Sequence, residues 1–349
     1  MASKLTSKLK HLSPGSRDRW LSDLLAVPIK IDRIEPILTG HIADVSRLHI
    51  SEPGSTGTST LPSTVIIKST ADPLINPLGQ TFDSFAREAH FYTAIAPKLS
   101  LSVPHCWAID QQITGPSALI IEDLGTATAF ENHVCPVENA LECLSGLHSV
   151  EIKSLAVNQD IDSNIRSLKS ICKNNSPAFA LYNDMNPSRF KTAVLDALEN
   201  TDPSPTDSTH CLIHCDFRWD NLLAPRGGTI IDWGDYCTGP RAYDLAYFLA
   251  TSLASMPSSQ HPENLDEWVL RALTHYEAAS SNLRDTQSGQ AGSSSLDLVA
   301  SMARWLPLAA WTPLTLLAKT DLSISGRNYW RAVLAACHRL FDVLAHLSN

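Results

Sequence analysis

Two carboxylates and an amide set the chemistry open to this chain. Asp216 and Asn221 stand five residues apart in HCDFRWDN, and Asp232 follows the β-branched run Thr229-Ile230-Ile231. A carboxylate in a polar turn can take a hydroxyl proton. An amide oxygen and a second carboxylate are hard donors of the kind Mg²⁺ takes when it is held against phosphates. Cys211-Leu212-Ile213 before the turn and Thr229-Ile230-Ile231 before Asp232 predict two short strands. Acid, amide and acid at adjacent strand ends can converge on one point. The chemistry such a set supports is transfer of a phosphate from ATP to a hydroxyl.

H-x-D-x-x-x-x-N, then a hydrophobic strand and I-D-W, resembles the aminoglycoside and choline kinase phosphotransferases, which share the protein-kinase-like fold. The longer pattern, HCDFRWDNLL then IIDWGDYCTGPRAYDLAYFLATSL, is most similar to the ecdysteroid-kinase-like branch. It is also similar to the kinase-like domain fused to some acyl-CoA dehydrogenases. The resemblance implies an α+β, two-lobed fold, with an antiparallel five-stranded lobe over residues 1–124 and a mostly helical lobe over 125–349. It implies ATP and Mg²⁺ as cofactors and a small-molecule hydroxyl as acceptor, whether a lipophilic alcohol, an amino alcohol or an aminoglycoside. Asp216 would be the catalytic base, and Asn221 and Asp232 the metal ligands. Arg218 falls where protein kinases carry a lysine near the γ-phosphate, with a structural salt bridge as the alternative. His214 is a structural histidine in this pattern, Asp220 a loop-stabilising acid, and Asp244 a support that bonds the catalytic loop from below. Trp233 packs. Cys215 stands where glycine is common, at a position that favours φ > 0.

The elements that must position these groups are legible from periodicity. Arg17 to Ala26 reads as a helix, Ile31 to Leu38 as a strand, Thr39-Gly40-His41 as a turn and Val45 to Ile50 as the returning strand. By the resemblance this hairpin covers the phosphates, with Gly40 its single glycine, though a plain turn fits equally well. Ser51 to Ser63 is a loop, and Thr64 to Lys68 a β-branched strand ending in lysine. Phe82, Phe85, Ala89, Tyr92 and Ile95 form the apolar stripe of one helix. Glu88 flanks that stripe, and a carboxylate at a buried edge needs a cation. Lys68 is the natural partner, and the resemblance aims its ammonium at the α- and β-phosphates. Cys106 to Ile109 and Ser117 to Ile121 read as strands. Glu122-Asp123-Leu124 follows, which by the resemblance is the hinge whose backbone would contact adenine, its acidic side chains simply exposed.

Glu138 to His148 should open the second lobe as a helix, with His148 packed rather than catalytic. Ile161 to Leu198 reads as helices broken at Asn174 to Pro177, Thr201 to Thr209 as a loop, and Leu245 onward as a buried helix. Ser288 to Ser295 reads as a loop and Tyr329 to Leu347 as the closing helix. Trp305 and Trp311 are either core residues or the lining of an apolar acceptor pocket. Two other functions fit the same fold: an inactive nucleotide-binding scaffold and a protein-serine/threonine kinase. Only ten residues separate Asp232 from Tyr243, too few for a peptide-docking activation segment.

The formal net charge of −9 argues against a nucleic-acid partner, which calls for a basic face. No run of 18 apolar residues predicts a membrane span. The cysteines form no C-x-x-C pair, which suits reduced thiols and a cytoplasmic protein. Cys211, His214 and Cys215 lack a fourth ligand at zinc spacing, so thiols are the default there. Met1 to Arg17 reads as a solvated tail.

Overall fold

Side chains of Thr64–Thr70 alternate between faces, as a strand requires. Val65 and Ile67 enter an apolar cluster with Leu9, Leu21, Leu48, Ile50 and Ile120. That parity leaves Lys68 on the opposite face. The structure is a computed structural model. It describes residues 9, 12–37, 43–52, 61–70, 83–112, 115–125, 137–166, 176–199, 210–223, 228–284, 295–318 and 323–348. Gly40, Phe82, the loop Thr201 to Thr209 and most of the loops at 51–63 and 288–295 lie outside the described residues.

The chain divides into two units. The first comprises Met1–Lys98, Ser102–Thr126 and Ile230–Asp235, and the second Leu99–Leu101, Ala127–Thr229 and Tyr236–Asn349. A single cut at 124/125 therefore misses that Ile230–Asp235, with Asp232, belongs to the first unit.

Strands β1 (Lys30–Ile37), β2 (Ala43–Ser51), β3 (Thr64–Thr70), β4 (Cys106–Gln112) and β5 (Gly115–Glu122) make one antiparallel sheet in the order β1-β2-β3-β5-β4. Lys68 stands opposite Val45 and Leu119 in its register. Helix α1 (Pro14–Leu25) starts with Pro14 in its first turn, capped by Ser13, whose side chain accepts from the Ser16 amide. Leu9 is fully buried, and its carbonyl accepts from Arg17 Nε at 2.9 Å. The expected solvated tail is thus corrected at Leu9, a leucine inserted in the core. Helix α2 (Ser84–His90) continues as a π-helical turn, Phe91–Ile95, in place of the single regular helix expected. The wider turn still buries Phe91, Tyr92 and Ile95.

The second unit is mostly helical. Its helices are α3 (Val137–His148), α4 (Ser176–Asp184), α5 (Arg189–Glu199), α6 (Arg241–Ser255), α7 (Leu265–Arg284), α8 (Ser295–Ala309), α9 (Trp311–Leu317) and α10 (Ile324–Leu347). Pro177 lies in the first turn of α4, where a missing amide costs nothing. The described break comes later, at Met185–Ser188. In α6 every residue from Arg241 to Leu253 is buried, so it is the helix the unit is packed around. Two strands missing from the helical description, β6 (His210–Ile213) and β7 (Cys237–Pro240), pair antiparallel with Ile213 opposite Cys237. Only the first was expected. Among the described residues no helix is long and apolar enough to cross a membrane.

Candidate active site

In the first unit, Lys68 Nζ lies 2.7 Å from Glu88 and 2.8 Å from Asp232 Oδ1. The pairing with Glu88 is the one its buried edge demanded, and the second carboxylate was not foreseen. Lys68 and Glu88 are both buried, whereas the Asp232 side chain keeps 35% of its exposure. Burial alone would lower the Lys68 pKa, but Asp232 and Glu88 reverse this and the net shift is upward. Burial dominates at Glu88 and raises its carboxyl despite Lys68. The lysine is therefore a fixed cation.

Asp232 sits past Thr229–Ile230 in a left-handed conformation, φ 66°. Such backbone in a non-glycine residue costs of order 1–3 kcal/mol and clusters at functional sites. The turn after it holds the strain. Trp233 stacks on Phe91 with ring centroids 4.0 Å apart, and its indole donates to the Ile230 carbonyl at 3.0 Å. Asp235 accepts from Ser84 Oγ, and its carbonyl from Arg87, both at 2.8 Å. A Cβ on Gly234 would stand 3.0 Å from Ser84 Cβ, so glycine permits this close approach.

The segment Glu122-Asp123-Leu124 carries a correction. Its acids are not simply exposed. The Asp123 side chain is 6% exposed and takes a two-pronged contact from Arg47, Nε at 2.6 Å and Nη2 at 3.1 Å. Burial would raise its pKa, but the Arg47 bonds hold it below the ordinary value. Glu122 accepts from the His105 amide at 3.0 Å. Both side chains fix the segment, which leaves its backbone as the part able to meet a ligand.

In the second unit, the catalytic candidate Asp216 is half-buried and ringed by donors. Arg218 Nε reaches Oδ1 at 3.1 Å and Oδ2 at 3.2 Å. Asn221 Nδ2 donates to Oδ2 at 2.9 Å and Tyr247 Oη to Oδ1 at 3.0 Å. Arg218 also bonds Asp220 and lies over the Trp330 ring, 5.8 Å from its centroid. Arg218 is thus seen in a salt bridge, and Asp220 as the acid that anchors it. Asp244, fully buried on α6, accepts from the backbone amides of His214 at 2.7 Å and Cys215 at 2.8 Å. It holds the turn from below. His148 bonds Asp244 at 3.3 Å and the Tyr276 hydroxyl at 2.8 Å, a packed histidine whose pKa burial lowers. Cys215 adopts φ 67°, the conformation glycine would take without cost.

Trp311 is fully buried, donates to the Val194 carbonyl at 2.9 Å and stacks on Tyr182. Trp305 is nearly buried, edge-on to Tyr243. Both serve packing, so the expectation of an apolar acceptor pocket loses its two tryptophans.

The resemblance implies Mg²⁺, and each of its two candidate ligands, taken by itself, has an oxygen suited to it. Asn221 Nδ2 faces two acceptors, the Asp216 carbonyl and carboxylate, which leaves its amide oxygen for a cation. Asp232 offers a partly exposed carboxylate. Among the described residues no three His, Cys, Asp or Glu side chains could hold a metal unaided, at Cys211-His214-Cys215 or elsewhere. Mg²⁺ commonly takes one or two protein oxygens and completes its shell with phosphates and water.

Tyr247, Tyr329, Trp330 and Arg47 were missed by sequence reasoning. Tyr247 had a signal: it lies three residues after Asp244, hence on the same face of α6.

Residues 74–285, more than half of the chain, match the family model described as "Phosphotransferase enzyme family". No curated protein matches. Among solved structures, a provisionally named aminoglycoside phosphotransferase of Ralstonia eutropha superposes with a TM-score of 0.60 at 12% identity, covering 96% of this chain and 98% of that one. The GDP complex of aminoglycoside 2'-phosphotransferase-IIIa gives 0.53 at 14% identity, covering 90% and 93%. A Plasmodium vivax ethanolamine kinase gives 0.50 at 12% identity, covering 88% and 82%. At these identities the likeness is one of fold.

Proposed function

The chain belongs to the phosphotransferase enzyme family, and from that premise we propose that it is an ATP- and Mg²⁺-dependent kinase acting on a small-molecule hydroxyl. The observation that carries the reading is Asp216, a carboxylate aimed by Arg218, Asn221 and Tyr247 on a turn whose backbone Asp244 fixes. In this reading the acceptor O–H donates to Asp216. The oxygen attacks the γ-phosphorus, the bond to the bridging oxygen breaks, and the proton ends on the carboxylate. Lys68, kept charged by Glu88 and Asp232, binds the phosphates that leave with ADP. The backbone of Glu122-Asp123-Leu124 takes the base. Asn221 and Asp232 would hold Mg²⁺, which when bound neutralises phosphate charge. Little covalent work falls to the protein, since positioning and charge supply most of the rate.

The test is transfer from γ-labelled ATP to a panel holding ethanolamine, an aminoglycoside and a lipophilic primary alcohol, with small-molecule cell extract beside it. Phosphate on a hydroxyl with wild type, at a rate several orders of magnitude lower with Asp216→Asn, is the expected result. Tight nucleotide binding with no transfer to anything in panel or extract would instead favour an inactive scaffold.

A further inference from the structure

Four hydrogen bonds from three donors converge on the two oxygens of Asp216. An ionised carboxylate has about four lone-pair sites. Tyr247 and Asn221 take one on each oxygen, and the single Nε–H of Arg218 lies across the remaining two, so both are contested before any acceptor arrives. A hydroxyl that gives its proton to Asp216 must displace a donor. Tyr247 cannot leave. It is 1% exposed on the most deeply buried helix of its unit, and a buried phenol without a partner is costly. Burial, with the Asp216 charge beside it, holds its pKa well above the ordinary tyrosine value, so it stays a donor. Asn221 is tied by a second bond, 2.8 Å to the Asp216 carbonyl. Arg218 can leave. Its other partners, Asp220 and the Trp330 ring, hold the guanidinium without Asp216. The Tyr329 hydroxyl, buried with no hydrogen bond of ordinary geometry, lies close enough to feel its charge and can accept from it.

We propose that Tyr247 is a positioning residue that aims the Asp216 carboxylate, and that the acceptor hydroxyl takes the place of Arg218 on it. Helix α6 then grips the catalytic turn twice, through Asp244 on its backbone and Tyr247 on its reacting side chain. The proposal rests on Asp216 being the base, and its test separates the two. Tyr247→Phe keeps the ring and deletes the hydroxyl. With MgATP and the acceptor found in the panel, kcat should fall roughly 10- to 100-fold, with nucleotide KM within about twofold. In an Asp216→Asn background the same change should cost nothing further, because its only route is through that carboxylate. Arg218→Gln should lower acceptor KM by about threefold or more. Equal losses from Tyr247→Phe in both backgrounds, or no loss in either, would overturn the positioning role. An unchanged or raised acceptor KM would overturn the displacement. A wild type inert towards every acceptor would overturn the kinase reading itself, and this proposal with it.

A separate observation carries a second inference. Cys215 Sγ and Cys237 Sγ are 3.3 Å apart, the first partly exposed beside Asp216 and the second buried on β7. A disulfide bond of about 2.05 Å needs only a small further approach. We infer that this pair is an oxidation site for a low-molecular-weight disulfide. The Cys215 sulfur attacks that disulfide and releases one thiol. The Cys237 sulfur then displaces the second, giving one protein disulfide and two small thiols that carry both protons and both electrons. The folded chain is incubated with oxidised glutathione, alkylated and digested. A peptide pair linked through Cys215 and Cys237, undone by dithiothreitol, is the result expected. Cys237→Ser should stop at glutathione on Cys215. Wild type with both thiols alkylated, or with a lasting mixed disulfide at Cys215, would overturn it.

Discussion

Lys68→Met removes the cation between two carboxylates that meet very different surroundings. Asp232 keeps about a third of its exposure and can turn to water, whereas Glu88 is 3% exposed and cannot. The cost therefore falls on Glu88. Breaking a buried pair by deleting one partner costs about 3–5 kcal/mol, unless the remaining group neutralises itself. Glu88 can do so by binding a proton. Each pH unit above its ordinary value of 4.5 then costs about 1.4 kcal/mol. The loss is thus capped near 3 kcal/mol at pH 7 and near 1 kcal/mol at pH 5.5. The sign follows from linkage. A carboxyl whose folded pKa is raised stabilises the fold below its unfolded value, and that contribution fades as pH rises through the folded one. Urea unfolding of wild type, Lys68→Met and Lys68→Met/Glu88→Gln at both pH values measures this. The single variant should suffer most at pH 7, and the double variant should regain most of the loss and show little pH dependence. A single variant within about 0.5 kcal/mol of wild type at pH 7, or a double variant that is worse, would refute the reasoning.

Two further outcomes follow from the second unit. His148 is buried with its pKa lowered, chiefly by burial, so the unfolded chain binds its proton first and stability should fall as pH drops through about 6.5. Thermal midpoints across pH 5 to 8 should show that slope in wild type and a shallower one in His148→Gln; parallel curves would contradict it. At Cys215, φ 67° favours glycine over alanine by about 1 kcal/mol. Urea midpoints should rank Cys215→Gly above Cys215→Ala, and the reverse order would remove backbone strain from the account.

Much of this was legible in the sequence because the signals were local. The alternation in Thr64–Thr70 fixed which face carries Lys68, and the burial of Glu88 demanded a cation within reach. Glycine's usual place at Cys215 announced a positive φ, and Tyr243-Asp244-Leu245-Ala246 announced a buried acid under the turn. What stayed illegible depended on tertiary partners. Nothing in the spacing of Arg47 and Asp123, 76 residues apart, says they pair. Tyr329 and Trp330 meet Arg218 from α10, and no local period links them to it. Trp305 and Trp311 stayed open between core and pocket because an aromatic side chain reads alike whether it faces a cavity or fills a core, and the structure puts both in the core. The extra turn in Phe91–Ile95 has no period to betray it.

The most direct measurement is γ-phosphate transfer from ATP to small-molecule hydroxyls, followed by phosphorus NMR for wild type and Asp216→Asn side by side. A new phosphomonoester signal that grows with wild type and falls by several orders of magnitude in rate with the variant, at matched nucleotide affinity, is the outcome predicted. Equal rates from the two proteins would take Asp216 out of the chemistry and contradict the account at its centre.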